Sequence, residues 1–233
     1  MLEFRNVSSG YGRAQVLFGL DLALGPGEVV ALLGRNGAGK STALKTAMGL
    51  LSAFSGEIIF DGRKIHALPP YQVARLGLGY VPEDRRIFTD LTVLENLETG
   101  RQPPRAGAPR WDARRLFELF PNLGRLRDRR GGQMSGGEQQ MLTVARTLMG
   151  NPRAILLDEP FEGLAPLIVA QVAHTIAALK NEGLSVLLCD QNLRHVRLVA
   201  DRACIIEKGQ LRFAGTVAEL DASPAAHTRF LTV

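Results

Sequence analysis

Apolar residues recur along this chain in two periods, and the switch between them marks out its elements. Near the start, LEFRNV and VLFGLDLAL alternate apolar and polar positions, the spacing of a strand with one buried face. A turn at Gly25-Pro26-Gly27 leads to EVVALL, a continuous apolar run ending in Gly34, which suits a strand covered on both faces. The pattern then predicts a helix from about Lys40 to Leu50, a strand in SGEIIFDG, a helix over 70–76, and a short strand in GLGYVPE that leads into a loop. Thr92 can cap a helix beginning VLENLE. Residues 101–110 carry three prolines and no apolar period, so they read as a loop or mobile linker. Trp111 to Phe120 has helical spacing. A polar stretch to Ser135 follows, then a long helix from about Gly137 to Met149.

Beyond Arg153, strands and helices alternate. AILLD and SVLLCD are strands, PLIVAQVAHTIAALKNEG is a helix closed by Gly183, and NLRHVRLVA is another helix. RACIIEKGQLRFAG is a hairpin turned at Lys208-Gly209, and short helices are expected near 216–220 and 224–231. Strands joined by crossover helices make a mainly parallel sheet with helices on both faces. The block from about 84 to 150 lacks convincing strands and reads as an inserted helical lobe. The expected organisation is one domain over 1–233, with 1–83 and 151–233 as its α/β core.

Composition narrows the class. The chain has 233 residues, 45% hydrophobic and 22% charged, an ordinary globular balance. The longest apolar run is Val29 to Leu33, far short of the ~20 residues of a membrane span. MLEFRNV has no secretory pattern, so a cytoplasmic location is expected. Cys189 and Cys204 sit in apolar runs and read as reduced core thiols rather than a disulfide. Residues 101–130 hold nine arginines and three acids, so the net charge of +5 is a local feature. Aromatics are only 6% of the chain, so this segment reads as a solvated surface and not as a nucleic-acid face.

Three motifs carry chemistry. Gly34-Arg35-Asn36-Gly37-Ala38-Gly39-Lys40-Ser41-Thr42 lies between a strand and a helix and fits the phosphate-loop pattern. Its glycines let backbone N–H groups turn toward phosphate oxygens, and the helix N-terminus adds partial positive charge. Lys40 can bridge β- and γ-phosphates, and Ser41 can offer its hydroxyl to Mg²⁺. The second motif is the strand ending in Asp158-Glu159. Neighbouring strand residues point to opposite faces, but at a strand's end the chain turns and both can face the phosphates. Asp158 would hold Mg²⁺, and Glu159 would polarise the attacking water. The third motif is Ser135-Gly136-Gly137-Glu138, a capped helix start with bare N–H groups, which reads as a second anion site. One nucleotide hardly needs two cradles from the same chain. If the second serves a nucleotide held by another chain, ATP joins the subunits.

These motifs, in this order, resemble the ATP-binding subunits of ABC transporters, across essentially the whole chain. YGRAQVLFGL, GRNGAGKST, GYVPEDRRIF, EPFEGLAP and QNLRHVRLVADRA are most similar to the ATPases of branched-chain amino-acid importers, the LivF type. The resemblance implies a P-loop NTPase core with a mainly parallel sheet, an N-terminal antiparallel β part and an inserted helical lobe. It implies that Tyr11 stacks on adenine and that ATP and Mg²⁺ are the cofactors. Glu83 stands where the family has a glutamine touching Mg²⁺, Gln191 where most members have a histidine contacting the γ-phosphate, and Ala165 where an aspartate is usual.

The implied partners are a second ATPase subunit, identical or related, two membrane permease subunits, and indirectly a periplasmic solute-binding protein. The protein would then lie on the inner face of the membrane, without inserting. Glu83 to Phe88 and the helical lobe would form the groove for a permease helix; Arg85 and Arg86 read equally as a solvated loop. His195 reads as an ordinary helix-surface histidine, and His66, His174 and His227 fit no metal-ligand spacing. Competing readings are a non-transport ABC ATPase of DNA repair or translation, a regulatory ATP-binding module, and an importer ATPase for urea, amides or aromatic acids.

Overall fold

The computed structural model describes residues 1–222. The helix expected near 224–231 lies outside them. In chain order the elements are β1 (Leu2–Tyr11), β2 (Ala14–Leu24), β3 (Val29–Leu33), α1 (Lys40–Ala47), β4 (Ala53–Phe60), β5 (Arg63–Lys64), α2 (Pro70–Leu76) and β6 (Leu78–Val81). Four helices follow: α3 (Val93–Thr99), α4 (Ala113–Leu119), α5 (Pro121–Arg125) and α6 (Gly136–Leu148). The chain then runs through β7 (Ala154–Asp158), α7 (Pro166–Asn181), β8 (Ser185–Asp190), α8 (Leu193–Val199), β9 (Arg202–Glu207), β10 (Gln210–Thr216) and α9 (Val217–Asp221).

An antiparallel sheet has the order β2-β1-β4-β5, and a six-stranded sheet has the order β10-β9-β3-β8-β7-β6. In the second, only the β9–β10 pair is antiparallel. This is the α/β architecture expected from the alternation of strands and helices. The central strands sort their residues by parity. Val29, Ala31 and Leu33 enter a core with α6, α7 and α8, whereas Val30 and Leu32 enter one with α1 and the antiparallel sheet. The same rule aims Asp158, in step with Ala154 and Leu156, toward α1. It aims Asp190, in step with Val186 and Leu188, toward α7 and α8.

Leu32 pairs with Cys189 on one side and Cys204 on the other. Two strand spacings, roughly 10 Å, separate the cysteines, beyond the ~7 Å reach of a disulfide. Both are free and buried, and burial pushes the Cys204 thiol up to about 11.

One expectation needs correction, and two stretches gain detail. The helix after the phosphate loop ends at Ala47 and not Leu50, because Gly49 turns left-handed and the Leu50 N–H returns to the Lys45 carbonyl. The stretch before Ser135 is not plain loop. It contains α5, started by Pro121, and a 3₁₀ turn over Gly131–Gln133. Residues 101–110 form a loop, but not a free linker: the Arg105 guanidinium donates to the carbonyls of Arg75, Gly150 and Asn151.

Asn151 fastens the same region. It is buried with φ +49°; its Oδ1 accepts from the Trp111 N–H at 2.6 Å and its Nδ2 donates to the Gln102 carbonyl at 2.8 Å. Asn151→Ala leaves both groups unpaired in the interior. It should destabilise folding by about 2–4 kcal/mol, read as a lower urea midpoint at unchanged slope.

Candidate functional site

Residues 34–39 turn at the carboxyl end of the parallel sheet, where open α/β folds place ligands. Gly39 has φ +112°, a backbone only glycine adopts without strain. The β9–β10 turn supports this loop from behind. Gly209 donates its N–H to the Ala38 carbonyl at 2.8 Å, and at φ +75° a Cβ there would lie 1.7 Å from the Val16 carbonyl oxygen.

Lys40 opens α1 and is 4% exposed. Its Nζ donates to the Gly34 carbonyl at 2.9 Å and to that of Arg35 at 3.4 Å, and pairs with Glu159 Oε1 at 3.0 Å. On the next residue, Ser41 Oγ donates to Asp158 Oδ1 at 2.9 Å. Asp158 Oδ2 accepts from the Tyr80 hydroxyl at 3.1 Å. Burial raises the Asp158 carboxyl, and these two hydrogen bonds oppose the rise. Burial, then Asp158, pushes the Tyr80 phenol well above its ordinary range.

Glu159 begins a left-handed turn, with φ +47°, and donates its N–H to the Cys189 carbonyl at 3.1 Å. That turn brings two adjacent acids to one site, as expected at a strand's end. Glu162 comes back toward Glu159; a hydrogen bond between the two carboxyls raises Glu162, with burial second. The resulting pocket of about 390 Å³ is lined by Lys40, Ser41, Thr42, Glu83, Glu159 and Glu162, with Asn36, Gly37 and Gly39 at the loop and Tyr11 and Val16 at the open end. Tyr11 is 48% exposed. Gly34, Arg35 and Ala38 belong to the loop but do not line the pocket; the carbonyls of Gly34 and Arg35 accept from Lys40, and that of Ala38 from Gly209. Hard oxygen donors at Ser41 and Asp158, with Glu83 in the same pocket, fit a Mg²⁺ ion.

The third motif, Ser135–Glu138, lies outside this pocket. Ser135 caps α6, and Glu138 accepts from the Ser135 N–H at 2.7 Å and from its hydroxyl at 2.9 Å. Gly136 and Gly137 therefore present N–H groups without helical acceptors. A Cβ at Gly136 would lie 2.8 Å from Arg85 Nη1, and one at Gly137 2.9 Å from Ile168 Cγ2. The two arginines after Glu83 divide. Arg85 rests on Gly136, and its carbonyl accepts from Thr143; Arg86 pairs with Asp84 at 2.8 Å, and its carbonyl accepts from Arg146. Both have positive φ, so the segment is clamped to α6 and is not a freely solvated loop.

Gln191 is exposed and outside the pocket. His195 is not an ordinary surface histidine. Its Nδ1 lies 3.0 Å from Asp190 Oδ2, and its ring packs on Phe161 at 4.8 Å. Tyr80 and Glu162 were missed in the sequence. The alternation in LGYV, which puts Tyr80 on the face of Leu78, was the available signal for the first.

A groove of about 720 Å³ opens beside the 83–88 loop. It exposes Leu50, Tyr71 and Phe88 between Arg75, Arg86 and Arg146. The Arg146 guanidinium lies over the Phe88 ring, and its Nη1 is buried without a partner. Among the described residues no helix is long and apolar enough to cross a membrane.

The ABC transporter family model matches residues 17–162. Over 99% of both chains, this one is 41% identical to BraG of Pseudomonas aeruginosa, a high-affinity branched-chain amino acid transport ATP-binding protein. It is 38% identical to LptB of Haemophilus influenzae, a lipopolysaccharide export system ATP-binding protein, over 93% of this chain and 90% of that one. The crystal structure of a nucleotide-free ATP-binding cassette from an ABC transporter superposes with a TM-score of 0.83 at 26% identity, covering 97% of this chain and 96% of the other. With its phosphate loop, paired acids and capped glycines held in this fold, the chain belongs to the ABC transporter family as a nucleotide-binding, ATP-hydrolysing subunit of a transporter.

Proposed function

We propose that this ATPase drives uptake of a small polar solute, with branched-chain amino acids the first class, through two permease subunits on the inner face of a membrane. The full-length similarity to BraG carries this reading. The similarity to LptB makes an exporter the second reading. In the proposed cycle two protomers face head to tail. Each ATP lies between Gly34–Thr42 of one, with Tyr11 on its adenine, and Ser135–Glu138 of the other. Lys40 is paired with Glu159, which competes with phosphate for it. Arriving phosphates take Lys40 and leave Glu159 free to polarise water. Ser41, Asp158 and Glu83 would hold Mg²⁺, which neutralises phosphate charge. Gln191 can donate a hydrogen bond to the γ-phosphate but brings no charge. Charge-assisted bonds from the partner's capped glycines, ~1.5–3 kcal/mol each, hold the closed form until hydrolysis.

The groove beside Phe88, lined by Arg75, Arg86 and Arg146, is the proposed seat of the permease helix. In vesicles holding the permeases and a solute-binding protein, leucine uptake should require ATP and this chain. Arg86→Glu combined with Phe88→Ala should reduce capture of the permeases at least about tenfold, given that interface anchors contribute ~2 kcal/mol or more. ATP-driven movement outward instead would establish the exporter reading.

A further inference from the structure

The Glu159 turn is strained, and part of what holds it lies outside the nucleotide pocket. Glu159 sits at φ +47°, a backbone that costs of order 1–3 kcal/mol and persists only where its surroundings fix it. One fastening is the hydrogen bond from its N–H to the Cys189 carbonyl on β8. Another is Phe161, two residues on, whose side chain is buried in the core beneath α7. Against that ring lies His195, with ring centroids 4.8 Å apart and planes at 43°.

His195 is itself fixed. Strand parity turns Asp190, the last residue of β8, toward α8, and its Oδ2 lies 3.0 Å from the imidazole Nδ1. Asp190 Oδ1 accepts from the Asn192 N–H at 2.6 Å, so the same carboxylate closes the turn that presents Gln191. The Asp190 side chain is 6% exposed and that of His195 21%. With Asp190 ionised, Nδ1–H is the donor, and it compensates a carboxylate that burial disfavours. One histidine thus touches both the residue that anchors the Glu159 turn and the carboxylate that anchors the Gln191 turn.

We infer that His195 is a positioning residue for hydrolysis: braced by Asp190, it presses on Phe161 and holds Glu159 in its left-handed turn. It is not a catalytic residue, because it lies outside the nucleotide pocket. The inference rests on the proposal that Glu159 is the base. A displacement of ~1 Å at a reacting group can lower turnover by up to about 10²-fold, while the phosphate loop keeps its own fastenings, Gly209 on Ala38 and Lys40 on the Gly34 and Arg35 carbonyls. The effect should therefore fall on kcat and spare nucleotide affinity.

The test is a double-mutant cycle on the full chain assembled with its membrane subunits: His195→Ala, Phe161→Ala and both together, read as kcat, KM for ATP, affinity for a fluorescent ADP analogue, and melting temperature. Each single change should lower kcat by about tenfold or more, with KM and affinity within about twofold. The double variant should be little worse than either. His195→Asn keeps a donor for Asp190 but no ring, and should recover less than half of the lost kcat. Unchanged kcat in His195→Ala, fully additive losses, or a fall in kcat matched by lost affinity and melting temperature would each overturn the inference. Glu159→Gln run alongside separates the two ideas. Wild-type turnover there removes the base, whereas a dead Glu159→Gln with an additive cycle removes only His195.

Discussion

Glu159→Gln should bind ATP with near-normal affinity and cleave it about 10²–10⁴-fold more slowly, the usual contribution of a positioned general base. The amide keeps the size and most of the contacts of the carboxylate, so the left-handed turn and its bond to Cys189 survive. What is lost is a group able to accept the proton of the attacking water. The Lys40 ion pair at 3.0 Å also becomes a neutral contact, which eases release of Lys40 to phosphate. Affinity should rise slightly, if it moves at all. With cleavage blocked, the closed dimer should accumulate, visible as a doubled mass in light scattering when MgATP is present. Normal turnover by this variant would show that another group is the base.

Lys40→Ala should lose nucleotide binding by about 10² -fold or more. An ammonium bonded to two phosphate groups contributes ~1.5–3 kcal/mol per bond, and alanine supplies none. Part of that gain is offset in the native protein, because Lys40 must first leave Glu159 and the carbonyls of Gly34 and Arg35. The substitution also leaves Glu159 beside Glu162 without its lysine partner. A titration with a fluorescent ATP analogue measures the loss. A dissociation constant within about threefold of the native one removes Lys40 from the phosphate site. Lys40→Arg should recover little, since a planar fork does not fit the narrow space that holds the Lys40 ammonium at 4% exposure.

Much of the site was legible because its chemistry is local in the chain. Gly34 to Thr42 form one turn and the start of one helix, so the sequence carries both the backbone freedom and the charges. The Ser135–Glu138 capping box is legible for the same reason. Tyr80 and Asp158 are 78 residues apart, and their contact follows only from β6 lying beside β7 in one register. Arg105 looked like part of a charged surface because its acceptors are carbonyls at 75, 150 and 151, which no composition count reveals. His195 was read from its place on α8 alone, whereas its role depends on the direction of Asp190 at the end of another element.

Periodicity and motif order by themselves determined the α/β class, the phosphate loop, the paired acids and the family these imply, since each depends on residues within a few positions of one another. Tertiary structure decided which groups meet at long range: Lys40 with Glu159, Tyr80 with Asp158, and Asp190 and Phe161 with His195. The reason is that strand register and face parity are properties of neighbouring strands together, and a shift of one residue in β6, β7 or β8 would turn Tyr80, Asp158 or Asp190 to the opposite layer.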